Sequence, residues 1–218
     1  MKYNHYYLIL INFFLKKIIK KKNSLRILNY HNIPTSKISN FEKQIQFIIK
    51  NYDIISPEQL GTKDINKKIK KRVLITFDDG YKSVLNALPV LKKYNIYAIF
   101  FIIGDFIQIK NDYEIKNFIA NNISPKLYDK NLLNEKNLNK EDIISLVKEG
   151  HTIGYHTKSH KNLGIIKNHK YISDQINNEI DLFGDKKFTQ QINHFSFPFG
   201  SIENINRENY KIIKDKYK

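Results

Sequence analysis

The sequence predicts an α/β fold organised around a parallel sheet or barrel, and three observations predict it. Short apolar runs alternate with segments of helical periodicity along most of the chain. Two of those runs, Val73 to Phe77 and Tyr97 to Ile103, are almost continuously apolar, as strands buried on both faces are. The helical segment between them has the length of a parallel crossover. At 218 residues the chain suffices for one substantial core, so a single catalytic or binding domain is expected. In folds of this kind the chemistry gathers at the C-terminal ends of the strands.

Each element has a local reason. Leu25 to Tyr30 is a short apolar-rich run that stops at His31 and is followed by Pro34, which reads as a strand and turn. Phe41, Ile45, Ile48 and Ile49 recur at helical spacing, so residues 40–50 form a helix. Asp53-Ile54-Ile55 is a brief strand, and Ser56-Pro57-Glu58 opens another helix with proline in its first turn. The lysine-rich segment from Thr62 to Arg72 is a surface connection. After the strand from Val73 to Phe77, the spacing of Val84, Leu85, Leu88, Val90 and Leu91 predicts a helix, followed by the strand from Tyr97 to Ile103. Between Gln108 and Lys140 the pattern dissolves into Asn, Lys and Asp, an excursion with room for one short helix. A helix from Glu141 to Lys148 stops at Gly150, and a strand from His151 to Tyr155 follows. A helix from about Ser173 to Phe183, a strand from His194 to Phe197 and a helical tail from Glu203 to Tyr217 complete the alternation.

The formal net charge is +16, yet arginine occurs only as Arg26, Arg72 and Arg207. Base readout and bidentate phosphate clamps favour arginine, and the lysines are spread among Asn and Ile instead of clustering, so nucleic acid is not the expected partner. The absence of cysteine excludes disulfides, thiolate nucleophiles and cysteine-based zinc sites together. Residues 1–24 stand apart from the domain expected over residues 25–218. Tyr6 to Leu15 is apolar apart from Asn12, and Lys16, Lys17, Lys20, Lys21 and Lys22 follow it. This run is well short of the ~20 residues a helix needs to cross a bilayer. A helix continuing through Ile18 and Ile19 would oppose Leu8, Ile11, Leu15 and Ile18 to lysines, which suits peripheral membrane association through residues 6–22. A helix covering the core is the equal alternative, and a cleaved signal peptide is less favoured for want of a small-residue cleavage site.

Alternation also locates the chemistry. His31, Asp78-Asp79, His156 to His160 and Ser196 to Phe199 each follow a predicted strand at its C-terminal end, so a closed parallel barrel would bring them to one rim. His156 and His160 are four residues apart, and one helical turn or a compact loop would present both rings to a single point. Alone, that spacing also suits two surface histidines, and Asp-Asp-Gly alone suits a turn or a helix cap. Two imidazoles and a carboxylate on one rim, however, leave open positions on a divalent ion, as catalytic sites do. Two adjacent carboxylates raise each other's pKa unless a cation compensates them. On this reading Asp79 coordinates the ion and Asp78 stays free as a base, while Gly80 permits the turn between them and the next helix.

The segments TFDDG at Thr76 to Gly80, HTKSH at His156 to His160 and FPFG at Phe197 to Gly200, in that order, resemble the polysaccharide deacetylase family, carbohydrate esterase family 4. AIFFIIGD and EGHTIGYHTKSH are similar to it too, and the resemblance runs from about Leu25 to Lys214. It implies a distorted (β/α) barrel that removes acetyl groups from glycans, and the short C-terminus raises the expectation of an incomplete one. It further implies Asp78 as general base, Asp79, His156 and His160 as ligands of a divalent metal, commonly zinc, and the backbone N–H of Phe199 as an oxyanion donor. Two departures stand out. Ser196 occupies the place where many members carry an arginine that orients the base, and the late Leu-x-His that supplies the catalytic acid is absent. His31, in LNYHNIP, is the candidate to fill the second vacancy, as an early histidine does in the poly-N-acetylglucosamine deacetylase branch, although a histidine bonded within a turn would look the same. Tyr81, Tyr155 and Phe199 could stack on sugar rings or serve as packing.

The expected function is therefore a metal-dependent hydrolase that removes N-acetyl groups from N-acetylhexosamine units of a glycan. The alternative is a catalytically impaired glycan-binding relative of the same fold. The expected setting is the cell envelope or a membrane surface, with the cytoplasm open as well.

Overall fold

The computed structural model describes residues 25–60, 71–125, 130–177 and 192–217. The N-terminal apolar and basic segment, most of the connection from Thr62 to Arg72, and the second half of the helix expected to reach Phe183 lie outside the described residues. Among those described, no helix is long and apolar enough to cross a membrane.

The expected parallel α/β sheet is present. Strands β1 (Leu25–Tyr30), β3 (Arg72–Phe77), β4 (Ile99–Ile102) and β5 (Thr152–Tyr155) run side by side in that order, and β2 (Asp53–Ile54) also pairs with β3. Every pairing is parallel. β1 follows β3 along its whole length, from Leu25 beside Arg72 to Tyr30 beside Phe77. β2 meets only the first two residues of β3 and β4 only the last two, so β3 serves different neighbours at its two ends.

Alternation divides each strand between two faces. Outward, Val73, Ile75 and Phe77 join Phe100, Ile102, Ile153 and Tyr155 in the main core. Helix α1 (Ile38–Asn51) packs Phe41, Ile45 and Ile48 onto it, three residues at the spacing of one helical face. The rings of Tyr30, Phe77 and Phe100 form a row across β1, β3 and β4: Tyr30 and Phe77 stack with centroids 5.6 Å apart, Phe77 and Phe100 at 4.7 Å. Because Tyr30 pairs with Phe77 and Phe77 with Phe100, this row holds three strands in register one residue below His31 and Asp78. On the opposite face, Leu74, Ile99 and Phe101 pack with Ile55.

Departures from the expected elements have local causes. Lys82–Ala87 winds as a 3-10 helix before α2 (Leu88–Lys93), because Pro89 has no N–H to donate back into that turn. The helix expected after Ser56 is a single 3-10 turn, Pro57–Gln59, closed by a capping box between Ser56 and Gln59. The excursion after Gln108 contains the one short α-helix expected, α3 (Asp112–Phe118), which continues into a π turn, Ile119–Ile123, and is followed by a 3-10 helix, Lys130–Asn134. Helix α4 (Lys140–Lys148) starts at a capping box made by Asn139 and Asp142. Helix α5 (His169–Ile176) and helix α6 (Arg207–Lys216) complete the order. The strand expected from His194 to Phe197 is reduced to one parallel bridge between Phe195 and Tyr155. Its backbone bonds β5 twice, Tyr155 N–H to His194 O and Ser196 N–H to Tyr155 O, and the chain then turns at Pro198.

Gly154 is fixed by close approach. A methyl group there would lie 2.3 Å from Cδ1 of Phe101, its register partner on β4. Gly154→Ala must displace that ring, and it is expected to destabilise the fold by about 1–3 kcal/mol. Chemical denaturation monitored by circular dichroism checks this, and an unchanged midpoint would contradict the packing.

Candidate active site

The main chain bends sharply where the strands end. Asp78 N–H bonds the carbonyl of Tyr30 at 2.8 Å, extending the β1–β3 ladder by one step. Asp79 then takes φ of 73° and Gly80 82°, both left-handed. After β5, His156 N–H bonds the Ile102 carbonyl at 2.9 Å, and the compact loop beyond it carries Thr157 at φ 66° and His160 at 57°. The Thr157 hydroxyl accepts the His160 N–H at 2.9 Å, closing that loop. Ser159 donates to the buried Gln175 of α5 through both its N–H and its hydroxyl. Phe199 also has positive φ, 66°. Left-handed aspartate, histidine and phenylalanine in one place is an arrangement that the surrounding structure must enforce.

These bends bring Asp79, His156 and His160 together, with one ligand atom from each lying within 4.8 Å of the others. All three are buried, at 2%, 2% and 5% exposure. The Oδ1 atom of Asp79 lies 3.5 Å from Nε2 of His156 and 3.4 Å from Nε2 of His160. Each ring is oriented from behind: Nδ1 of His156 bonds the Ser196 carbonyl and Nδ1 of His160 the Asn122 carbonyl, both at 2.8 Å. A carbonyl only accepts, so each Nδ1 carries a hydrogen, and in the neutral ring the lone pair is left on Nε2, facing Asp79.

This donor set fits a metal. Asp79 Oδ1 is buried and has no hydrogen-bond partner among the described residues, a costly condition for a carboxylate unless a cation joins it. Ligands of a tetrahedral zinc, about 2.0–2.2 Å from the ion, sit roughly 3.3–3.6 Å from one another, the separation seen between Asp79 and each imidazole.

Burial raises the Asp78 carboxyl above its ordinary pKa, and the negative charge of Asp79 adds to that rise. Burial acts the same way on Asp79, but the imidazoles of His156 and His160 outweigh it and hold that carboxyl below its ordinary value. For His156, burial works against protonation, and the two aspartates overcome it and raise the ring. Burial pushes His160 down to about 4.

Asp78 lies beside the trio, its Oδ2 3.9 Å from Nε2 of His156. That oxygen accepts from Asn29 Nδ2 at 2.8 Å and from the Ser196 hydroxyl at 3.2 Å, while Oδ1 is buried and has no partner among the described residues. His31 is exposed in the bend after β1, close enough for its charge to influence Asp78, Asp79 and His160. The ring of Phe199, 47% exposed, lies 4.7 Å from that of His160.

The remaining aromatic candidates belong to the core. Tyr81 is 1% exposed and packs edge-on against Phe106, so it offers no face to a sugar. It follows the tight Asp79-Gly80 turn, which directs the chain back into the second apolar cluster. Tyr155 is fully buried against Tyr217. His151 serves the fold, accepting the Ala98 N–H on Nδ1.

The model of the family described as polysaccharide deacetylase matches residues 65–214. The chain belongs to the polysaccharide deacetylase family. YxkH of Bacillus subtilis, whose name places it in that family, is 29% identical over 191 residues, 83% of this chain and 58% of that protein. The poly-beta-1,6-N-acetyl-D-glucosamine N-deacetylase of Staphylococcus epidermidis is 30% identical over 142 residues, 54% of this chain and 48% of that protein. The chain thus spans about half the length of these curated relatives. Among solved structures, IcaB from Ammonifex degensii superimposes with a TM-score of 0.62 at 21% identity, covering 89% of this chain and 81% of that one. The Streptococcus pyogenes deacetylase PplD, solved with acetate, gives 0.62 at 21% identity, over 88% and 80%. These likenesses support the fold.

As a member of the polysaccharide deacetylase family, the chain also carries site residues that its sequence motifs do not announce. Asn29 and Asn122 reach the site from β1 and from the π turn after α3. Asn122 acts through its backbone carbonyl, which has no sequence signature; a π turn at a functional site is a recurrent geometry, visible only in the structure. Ser196, noted only as a departure from the common pattern, bonds both Asp78 and His156.

The raised His156 predicts a proton-linked site. A divalent cation held at its Nε2 would compete with the proton there, so metal affinity is expected to fall as the pH falls through the His156 titration, whereas His160, at about 4, stays neutral until far lower pH. Calorimetric titration in buffers of different ionisation enthalpy should register proton release on metal binding that grows as the pH falls through the His156 titration. Binding without proton release would refute this arrangement.

Proposed function

We propose that this protein is a divalent-metal-dependent hydrolase that removes N-acetyl groups from N-acetylhexosamine units of a glycan. The observation that carries the reading is the convergence of Asp79, His156 and His160 beside a second, separately held carboxylate, Asp78. The N-acetyl specificity draws on the similarity to the S. epidermidis N-deacetylase. Two imidazole nitrogens and one carboxylate oxygen suit zinc best. An envelope polysaccharide is the matching substrate, and residues 6–22 are the segment through which the protein would lie against a membrane.

When bound, such a cation acidifies a water and polarises the acetyl carbonyl. The chain's own residues supply the rest. Asp78 accepts the proton of the attacking water, a task to which its raised carboxyl is suited. The backbone N–H of Phe199 donates to the oxyanion of the tetrahedral intermediate. His31, on the exposed side, gives the leaving amine its proton, without which the C–N bond does not break. The Phe199 ring, half exposed beside His160, lines the approach to the site.

Amine release from acetylated β-1,6-glucosamine oligomers tests this. Asp78→Asn and His31→Gln are each expected to lower kcat by about 10²–10⁴-fold. Chelation should abolish activity, with zinc restoring the wild type but not Asp79→Asn. Amine release indifferent to chelator and to Asp78→Asn would overturn the proposal, and glycan binding with no amine release would mark a binding protein instead.

A further inference from the structure

We propose that Asn29 is a positioning residue for Asp78: together with Ser196 it occupies Oδ2 of that carboxylate and leaves Oδ1 as the oxygen open to accept a proton. The kinetic part of this inference rests on the reading of Asp78 as general base; the structural part does not.

The argument starts from strand register. Asn29 of β1 pairs with Thr76 of β3, two residues before Asp78, so all three side chains emerge on the same face of the sheet. Thr76 is buried, and its hydroxyl donates to Asn29 Oδ1 at 3.0 Å. That bond and the carboxylate determine how the amide lies. An ionised carboxylate only accepts, so the group facing Asp78 must be the NH₂, and the amide oxygen is then left for Thr76. Asn29 Nδ2 reaches Asp78 Oδ2 at 2.8 Å, a short contact for an N–H donor, and the Ser196 hydroxyl meets the same oxygen at 3.2 Å.

The two donors differ in what else they do. Ser196 serves Asp78 with its hydroxyl and His156 with its backbone carbonyl, so any shift of this residue disturbs both Asp78 and His156. Among the described residues Asn29 makes no hydrogen bond to Asp79, His156 or His160; beyond the bond it accepts from the Thr76 hydroxyl, its side chain bonds Asp78. Side-chain chemistry restricts the position further. Leucine has the shape and no donor, aspartate would set another negative charge against Asp78, and glutamine carries the amide one methylene too far.

Asn29→Ala is the direct test, read three ways on the zinc-loaded, full-length protein. The crystal structure should show the Asp78 carboxylate rotated or spread over several orientations. In amine-release kinetics kcat should fall about 10- to 100-fold, with KM and zinc affinity within about twofold of wild type, because misplacing a reacting group affects the chemical step. In an Asp78→Asn background Asn29→Ala should have no further effect on kcat, since a residue that works through another has nothing left to position. Thr76→Val, which keeps the side-chain shape and removes the hydroxyl that orients the amide, should give a smaller loss of the same kind. An Asp78 carboxylate unmoved in Asn29→Ala crystals overturns the proposal, as does a loss that falls on KM or zinc affinity, or full additivity with Asp78→Asn. Absence of amine release by the wild-type protein would sink the proposed function while leaving the crystallographic comparison to decide the role of Asn29.

Discussion

A buried carboxylate oxygen that faces the Nε2 atoms of two imidazoles, with no other hydrogen-bond donor among the described residues, is the constraint on which the rest of the site depends. Asp79 could be satisfied cheaply by a backbone N–H or a hydroxyl, yet its Oδ1 has neither. Instead the donors in the neighbourhood are spent elsewhere. The Nδ1 hydrogens of His156 and His160 point away to backbone carbonyls, while the Asn29 amide and the Ser196 hydroxyl go to Asp78. The two aspartates, adjacent in sequence, are thereby given different environments: one is supplied with neutral donors, the other left for a cation. Under the proposed function, this separation lets one turn furnish both a ligand and a base.

Strand register delivers these groups. The row of Tyr30, Phe77 and Phe100 holds β1, β3 and β4 in step one residue below the active turn, and the pairing of Phe101 with Gly154 fixes β5 against β4. A slip of one residue would send Asp78 to the helix-covered face and Phe77 to the site. The loops beyond the strands are then tied to neighbouring strand ends by backbone bonds, Asp78 to Tyr30 and His156 to Ile102, so the site inherits the rigidity of the sheet. Helix α1 contributes at one remove, by covering the aromatic row with Phe41.

The parallel strands and the meeting of Asp79, His156 and His160 were legible in the sequence because both are written in side chains: apolar runs ending in Asp-Asp-Gly, and two histidines four residues apart. What was not legible depends on the backbone or on distance along the chain. The last expected strand shrinks to a single bridge because the run ends at Phe197-Pro198, where proline cannot continue a ladder. The Asn122 carbonyl that orients His160 comes from a segment whose pattern had dissolved. Asn29 is an ordinary polar residue in a strand until register places it beside Asp78, forty-nine positions away. Of the two roles the sequence leaves open for Tyr81, the structure shows packing, because the left-handed turn at Asp79 and Gly80 directs the chain into the core.

Those left-handed residues have an implication for how the protein can change. Asp79, His160 and Phe199 hold a backbone conformation that glycine adopts without strain and that other side chains resist. The substitutions that would most readily toughen this region are therefore glycines, yet they would erase Asp79 or His160 from the buried trio, the Phe199 ring beside it, or the Thr157 hydroxyl that closes the loop. Durability and competence are opposed here, residue by residue, so a more heat-tolerant descendant of this chain has to find its gains in the helices and the far ends of the strands.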